Sequence, residues 1–302
     1  MIEVTFLGTA ASIPSAERGL SSLLVRQGGE RFLVDCGEGT QRQLIRSGIG
    51  FRRLDRVLLT HGHLDHLLGL GGLAGTINLW RTTDRLTIHA GAAALRLART
   101  LLLDVTWPAG PPPLALEFVE VLSGPIYESE ALRVTAFPVR HHAPDCFGFL
   151  FEERRHQPLI RARLEELGVP SGPERARLAG GEPVTLPDGR HVDPEDVLGP
   201  AKPGARLAVI GDTESVEDLV DHVRDADALV IESTFLDTDA DKARARSHLT
   251  IGQAAWLART AGIERLYLTH ISSRYRLADI EAEAAAAFPR VSVARDFDRF
   301  QV

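Results

Sequence analysis

Short apolar runs that stop abruptly at a polar residue recur along the chain, and they set its expected secondary structure. The runs at 56–60, 132–139, 206–210 and 265–269 carry the β-branched and aliphatic density of strands, and 227–231 repeats the pattern. Residues 1–7 alternate like a strand and break at Gly8. Between the runs, 92–102 and 251–261 have helical spacing, and Thr250 with Gln253 pairs a hydroxyl and an amide three residues apart, the arrangement that opens a helix. Strands interleaved with helices throughout predict an α/β fold layered around one sheet system.

The pattern weakens between 153 and 204, where Pro, Gly and charged residues accumulate. A short amphipathic helix at 161–167 and a hairpin-like turn at Leu186-Pro187-Asp188-Gly189 are expected there. Such a stretch is either a functional excursion or a disordered linker. From Arg154 to Arg177 it holds six arginines against Glu165, Glu166 and Glu174, a balance of +3. No internal repeat or low-complexity tract interrupts the chain.

Composition narrows the reading only a little. A chain of 302 residues, 44% of them hydrophobic, can form one large α/β domain or two small ones. The net charge of −7 counts mildly against nucleic-acid binding judged by charge alone. Cys36 and Cys146 are the only cysteines and make neither a disulfide framework nor a paired metal-binding spacing. The first residues read as a strand rather than a secretory leader, and no stretch nears the ~18 apolar residues of a membrane span. A cytoplasmic protein without membrane association is expected.

The histidines change the picture. His61-Gly62-His63-Leu64-Asp65-His66 follows directly on the run ending at Thr60. Imidazoles two apart, with a carboxylate and a third imidazole behind, converge on one centre if the chain turns as it leaves a strand, and His and Asp are preferred zinc ligands. Three further candidates occupy the same kind of position. His141 follows 132–139, Asp212 follows 206–210 and His270 follows 265–269, each where α/β sheets present site residues. His142 competes with His141, since only one of two neighbours at a strand end points inward. The set suffices for two metals: His61, His63 and His141 on one, Asp65, His66 and His270 on the other, with Asp212 bridging.

With these residues in place, the chain resembles the metallo-β-lactamase superfamily through the hexapeptide, and its ribonuclease Z family over essentially the whole length. The more specific segments are Asp35-Cys36-Gly37-Glu38-Gly39-Thr40-Gln41, Ser247-His248-Leu249-Thr250 and His270-Ile271-Ser272-Ser273-Arg274-Tyr275. Phe6-Leu7-Gly8-Thr9-Ala10, Phe147-Gly148-Phe149, Leu198-Gly199-Pro200 and Gly211-Asp212-Thr213 add to them. The resemblance favours His141 over His142. It implies an αββα sandwich of two mixed β-sheets flanked by helices, formed by residues 1–302 as a single domain. It also implies two Zn2+ ions per subunit (Mn2+ or Fe2+ as alternatives), a homodimer, and a protruding arm at 153–204 that holds tRNA. The loop 13–19 keeps the Pro14 and Arg18 of a common family loop linked to the RNA 3′ end but lacks its Lys and Asn, and the arm lacks the lysines often found there.

The implied activity is removal of the 3′ trailer from precursor tRNA, with metal-activated water attacking the phosphodiester 3′ of the discriminator nucleotide. Asp65 is expected both to bind metal and to orient the nucleophile. His248, just before the helix capped by Thr250, is expected to protonate the leaving 3′-oxygen, with Glu232 holding its tautomer. Arg274 and Arg18 are the candidate RNA contacts. A phosphodiesterase of the same fold acting on small nucleotides or phosphonates is the alternative. A non-catalytic RNA-binding protein is a third reading, disfavoured by the full ligand set.

Overall fold

A computed structural model describes residues 1–154, 157–201 and 203–302 of the chain. The opening alternation becomes β1 (Ile2–Gly8), but nearly all of it is buried, because both faces are covered. Ile2, Val4 and Phe6 turn to one core and Leu7 to another. β2 (Ser22–Gln27) and β3 (Glu30–Val34) follow as a hairpin, then β4 (Arg56–Leu58), β5 (Arg85–Ala90) and β6 (Ala115–Glu120). Next come β7 (Gly124–Glu128), β8 (Leu132–Pro138), β9 (Phe147–Glu153) and the short pair β10 (Val184–Thr185) and β11 (His191–Val192). The last strands are β12 (Arg206–Val209), β13 (Ala228–Glu232), β14 (Arg265–Thr269), β15 (Val291–Val293) and β16 (Arg299–Gln301).

Two seven-stranded sheets result, ordered β16-β1-β2-β3-β4-β5-β6 and β15-β14-β13-β12-β9-β8-β7. Each is mixed. β3-β4-β5-β6 and β12-β13-β14-β15 are parallel, whereas β16-β1-β2-β3 and β9-β12 are antiparallel. Val4, Phe6, Val25 and Phe32 of the first sheet share a core with Phe149, Phe151, Leu207 and Val230 of the second, so the sheets pack face to face. Phe32 meets Phe151 edge-on across that core, ring centroids 5.6 Å apart. Helices cover both outer faces, including Leu70–Trp80 and Ala92–Arg99 on the first sheet and Ile251–Thr260 and Leu277–Ala287 on the second. The order of layers is αββα, as the resemblance implied.

Where boundaries shift, long-range bonds take over the strand ends. The run 56–60 is a strand only to Leu58, because Thr60 N–H leaves the ladder to bond the Asp35 carboxylate. The helix at Leu70–Trp80 was not expected from sequence. Gly71, Gly72 and Gly75 disfavour it locally, yet Leu70, Leu73, Ala74 and Ile77 form one buried face that outweighs them. The Thr250 cap forms as expected: its hydroxyl accepts Gln253 N–H and its own N–H donates to the Gln253 side chain.

The chain divides into two compact units, Met1–Glu152 with Ala205–Val302, and Glu153–Gly204. The second is ordered around its own small core of Leu164, Val169, Leu178, Val184, Leu186, Val192 and Val197, not a structureless linker. Its expected helix spans Arg161–Glu166, further helices run over Pro173–Ala179 and Pro194–Val197, and β10 pairs with β11 around the Pro187-Asp188-Gly189 turn. Of its expected arginines, Arg155 lies outside the described residues, as do His156 and Lys202.

Truncating an aromatic that spans the sheets tests this core. Phe151→Ala should lower the unfolding free energy by about 3–5 kcal/mol, read from the urea midpoint. A loss below about 1 kcal/mol would mean that Phe151 does not hold the sheets together.

Candidate metal centre

The ligand loop is clamped from below. Cys36 N–H donates to the His66 carbonyl at 2.7 Å, and Gly69 N–H donates to the Cys36 carbonyl at 2.9 Å. A Cβ on Gly37 would collide with the Asp65 carbonyl, and one on Gly69 with the Gly37 carbonyl, so this approach of two backbones requires glycine. Cys36 itself is fully buried and burial pushes its thiol up, which keeps it protonated and out of any ligand role.

Asp35, in the left-handed region at φ 59°, fixes the loop's first imidazoles. Its carboxylate accepts Thr60 N–H at 2.8 Å, the Thr60 hydroxyl at 2.9 Å and His66 Nδ1–H at 2.8 Å. The single hydroxyl proton of Thr60 is thereby used, so His61 Nδ1, 3.0 Å from that oxygen, must donate to it. Both His61 and His66 thereby turn their Nε2 atoms inward. His141 reaches the same state by donating Nδ1–H to the Ser247 carbonyl at 2.9 Å. His270, also left-handed at φ 57°, bonds through Nδ1 to Thr234 Oγ1, whose proton goes to Glu232. Orienting the outer nitrogen in this way is the pattern seen behind metal-ligating histidines.

These inward atoms converge. His66 Nε2 lies 3.3 Å from Asp212 Oδ1, 3.4 Å from His270 Nε2 and 3.6 Å from Asp65 Oδ2. His270 Nε2 lies 3.3 Å from Asp212 Oδ1 and 3.4 Å from Asp65 Oδ2. Ligands about 2.0–2.1 Å from a tetrahedral ion are roughly 3.3–3.4 Å from one another. The Nε2 atoms of His66 and His270 keep nearly that spacing to each other, to Asp65 Oδ2 and to Asp212 Oδ1. On the other side, Asp212 Oδ2 faces His61 Nε2 at 3.6 Å and His141 Nε2 at 3.9 Å, and His141 Nε2 is 3.4 Å from His63 Nδ1. The two Asp212 oxygens thus face different donor groups. His61 Nε2 and Asp212 Oδ1 are buried with no hydrogen-bond partner. Facing lone pairs repel unless a cation lies between them, so the donors fit a divalent-cation site.

Charge in the cluster follows its environment. Burial, reinforced by neighbouring imidazoles, holds His61 well below its ordinary pKa, and burial takes His141 down to about 4. His63 is lowered, first by burial. These rings are neutral near pH 7, as ligands must be. Burial opposes charge on Asp212 and Asp65 too, but the surrounding imidazoles outweigh it and keep both far below the usual carboxylate range. His66 is the exception: burial lowers it, yet Asp212 and Asp35 win and raise it well above its ordinary value. In the ion-free protein a proton takes the place of a cation there.

All seven ligands expected from sequence meet in this cluster. His142 is exposed beside it, its ring 4.2 Å from that of His141. His248 lies closer than expected, with Nδ1 2.9 Å from Glu232 Oε1 and 3.9 Å from Asp212 Oδ2, and Asp212, His248 and His270 form a further donor group. Burial would lower the His248 pKa, but Glu232 and then Asp212 raise it to about 9. A cavity of about 380 Å³ opens beside His248, lined by Phe235, Arg246, Ser272, Ser273 and Arg274. Arg18 is turned elsewhere: its guanidinium donates to Thr9 Oγ1 and the Ala294 carbonyl, both at 2.6 Å, which ties down the loop that carries it. Sequence reasoning assigned no role to Asp35, Thr60, Thr234 or Arg246. The available signal was Asp35 directly after a strand, opposite the strand that delivers the hexapeptide.

Asp35→Asn removes one acceptor from Thr60 and His66, and metal affinity should fall about 10–100-fold, measured by competition with a chromogenic chelator. Unchanged affinity would deny Asp35 its orienting role.

Comparison with known proteins places this geometry in a family. The profile described as Metallo-beta-lactamase superfamily matches residues 17–156, and that described as Beta-lactamase superfamily domain matches 174–271. Ribonuclease Z of Bradyrhizobium diazoefficiens is 51% identical over 302 residues, covering 100% of both chains. A second ribonuclease Z, from another Bradyrhizobium, is 49% identical over the same extent. The crystal structure of human tRNase Z, short form, superimposes with a TM-score of 0.67 at 26% identity, covering 99% of this chain and 98% of that one. The chain belongs to the ribonuclease Z family of the metallo-β-lactamase superfamily.

Proposed function

We propose that this protein is the endoribonuclease that removes the 3′ trailer from precursor tRNA, cutting 3′ of the discriminator nucleotide. The observation that carries the reading is the shared donor, Asp212, between two groups of inward-facing imidazoles, with His248 alongside. Full-length identity to named ribonuclease Z proteins supports it. We assign His61, His63, His141 and Asp212 to one Zn2+ and Asp65, His66, His270 and Asp212 to a second. When bound, such ions supply an acidified water and positive charge at the phosphoryl oxygens.

The chain's own groups do the rest. Asp65, held by Ser12 N–H at 3.0 Å, accepts a hydrogen bond from the attacking water and orients it. His248 carries a proton near pH 7 and delivers it to the departing 3′-oxygen as the P–O bond breaks. Glu232 fixes the His248 ring through Nδ1, leaving Nε2 for the leaving group. Arg274 and Arg246, lining the cavity beside His248, meet the phosphates of the acceptor end.

The unit Glu153–Gly204 is proposed as the tRNA-holding arm of a cytoplasmic homodimer. Among the described residues, Arg161 pairs with Glu165 at 2.8 Å and Arg163 with Glu166 at 3.4 Å, while half-buried Arg175 bonds the Val169 and Pro170 carbonyls. Exposed pairs of this kind are weak enough to exchange for RNA phosphate.

His248→Ala should keep its full metal content while turnover on precursor tRNA falls by about 10²–10⁴. Loss of metal in this variant would place His248 among the ligands instead. Dialysis against a chelator should abolish cleavage and lower the thermal midpoint, and added zinc should restore both. A midpoint that ignores chelation would sink the metal assignment.

A further inference from the structure

At the far end of β3 from Asp35, three arginines gather around a small cavity. Arg26 and Arg31 are direct cross-strand partners in the β2–β3 hairpin, and Glu3 is the partner of Arg26 on β1. Cross-strand partners share a face, so Glu3, Arg26 and Arg31 form one row. The row lies on the side of Leu24 and Leu33, which face the helices. Arg53, from the loop before β4, reaches the same cavity beside Gly29. The cavity holds about 170 Å³ and is lined by Glu3, Arg26, Gly28, Gly29, Arg31 and Arg53.

The charges do not cancel. Glu3 is taken by Arg26 at 2.5 Å, while Glu30 turns to the other face and accepts the Tyr127 hydroxyl at 2.8 Å. Arg31 Nη1 is buried without a hydrogen-bond partner. Like charges directly opposite in an antiparallel pair destabilise a sheet, and an unsatisfied buried donor adds a further cost. Burial and the charges of Arg26, Arg53 and Arg52 together lower the Arg31 pKa, which is the electrostatic trace of this crowding. A chain with net charge −7 places these cations together, part-buried, around a space with room for one tetrahedral oxyanion.

We propose that the β2–β3 end of the first sheet is a binding site for a phosphate group, held by Arg26, Arg31 and Arg53. Guanidinium forks match the oxygens of such an anion, and its charge relieves the repulsion in the row. The site lies at the opposite end of β3 from the metal centre and does not depend on the endonuclease reading. The phosphate comes either from a free anion or from an RNA backbone outside the cleavage site.

The test compares thermal midpoints in inorganic phosphate and in chloride of equal ionic strength. Wild-type protein should gain roughly 2–4 °C in phosphate. Arg31→Gln should match or exceed the wild-type midpoint in chloride, because repulsion is relieved, and should lose most of the phosphate gain. Arg53→Gln, at an exposed position, should also reduce the gain. If both variants keep it in full, the anion binds elsewhere and the proposal fails, as it does if the wild type gains nothing. The source is then read from precursor-tRNA cleavage by Arg31→Gln. A KM raised several-fold at constant kcat identifies an RNA phosphate, and an unchanged KM identifies a free anion.

Discussion

Lone pairs that face one another across three to four ångströms are the constraint around which this structure is arranged. Nitrogens and carboxylate oxygens from seven residues point toward one another, and four of those residues, His61, His66, Asp212 and His270, are buried from water. Such a cluster is costly without positive charge at its centre. Four of the imidazoles are held in place from behind by hydrogen-bond partners. Asp35 holds His66 directly and His61 through Thr60, the Ser247 carbonyl holds His141, and Thr234 holds His270. The αββα frame supplies those partners from different strands, so the site belongs to the packing of the two sheets rather than to any one segment.

The sequence made the inner layer of this arrangement legible and the outer layer not. Three imidazoles and a carboxylate in six residues leave few structural explanations, and His141, Asp212 and His270 each announce themselves by following an apolar run. The outer layer carries no such signal. Thr60 reads as the polar end of a strand, and Thr234 as an ordinary loop threonine. Their function rests on one hydroxyl proton each, and its direction is set by carboxylates 25 residues away from Thr60 and two from Thr234. The left-handed backbones of Asp35, Ser247 and His270 were equally hidden, since nothing local favours that conformation for them.

Fold-level expectations fared best where burial decides the outcome. The helix at Leu70–Trp80 escaped because its glycines mask a good buried face, and the extent of β4 was misjudged because a side chain captured the next backbone donor. Both cases have the same cause. Tertiary bonds overrule local preference where the chain approaches the metal centre.

Glu232 has a further consequence. One oxygen takes the imidazole of His248, and the other takes the Thr234 hydroxyl that orients His270. A single fully buried side chain at the end of β13 therefore sets two rings whose centroids lie 5.3 Å apart. Through these bonds a displacement of this strand end is passed to both rings together. The two rings thus share one mechanical anchor, although they sit on separate loops.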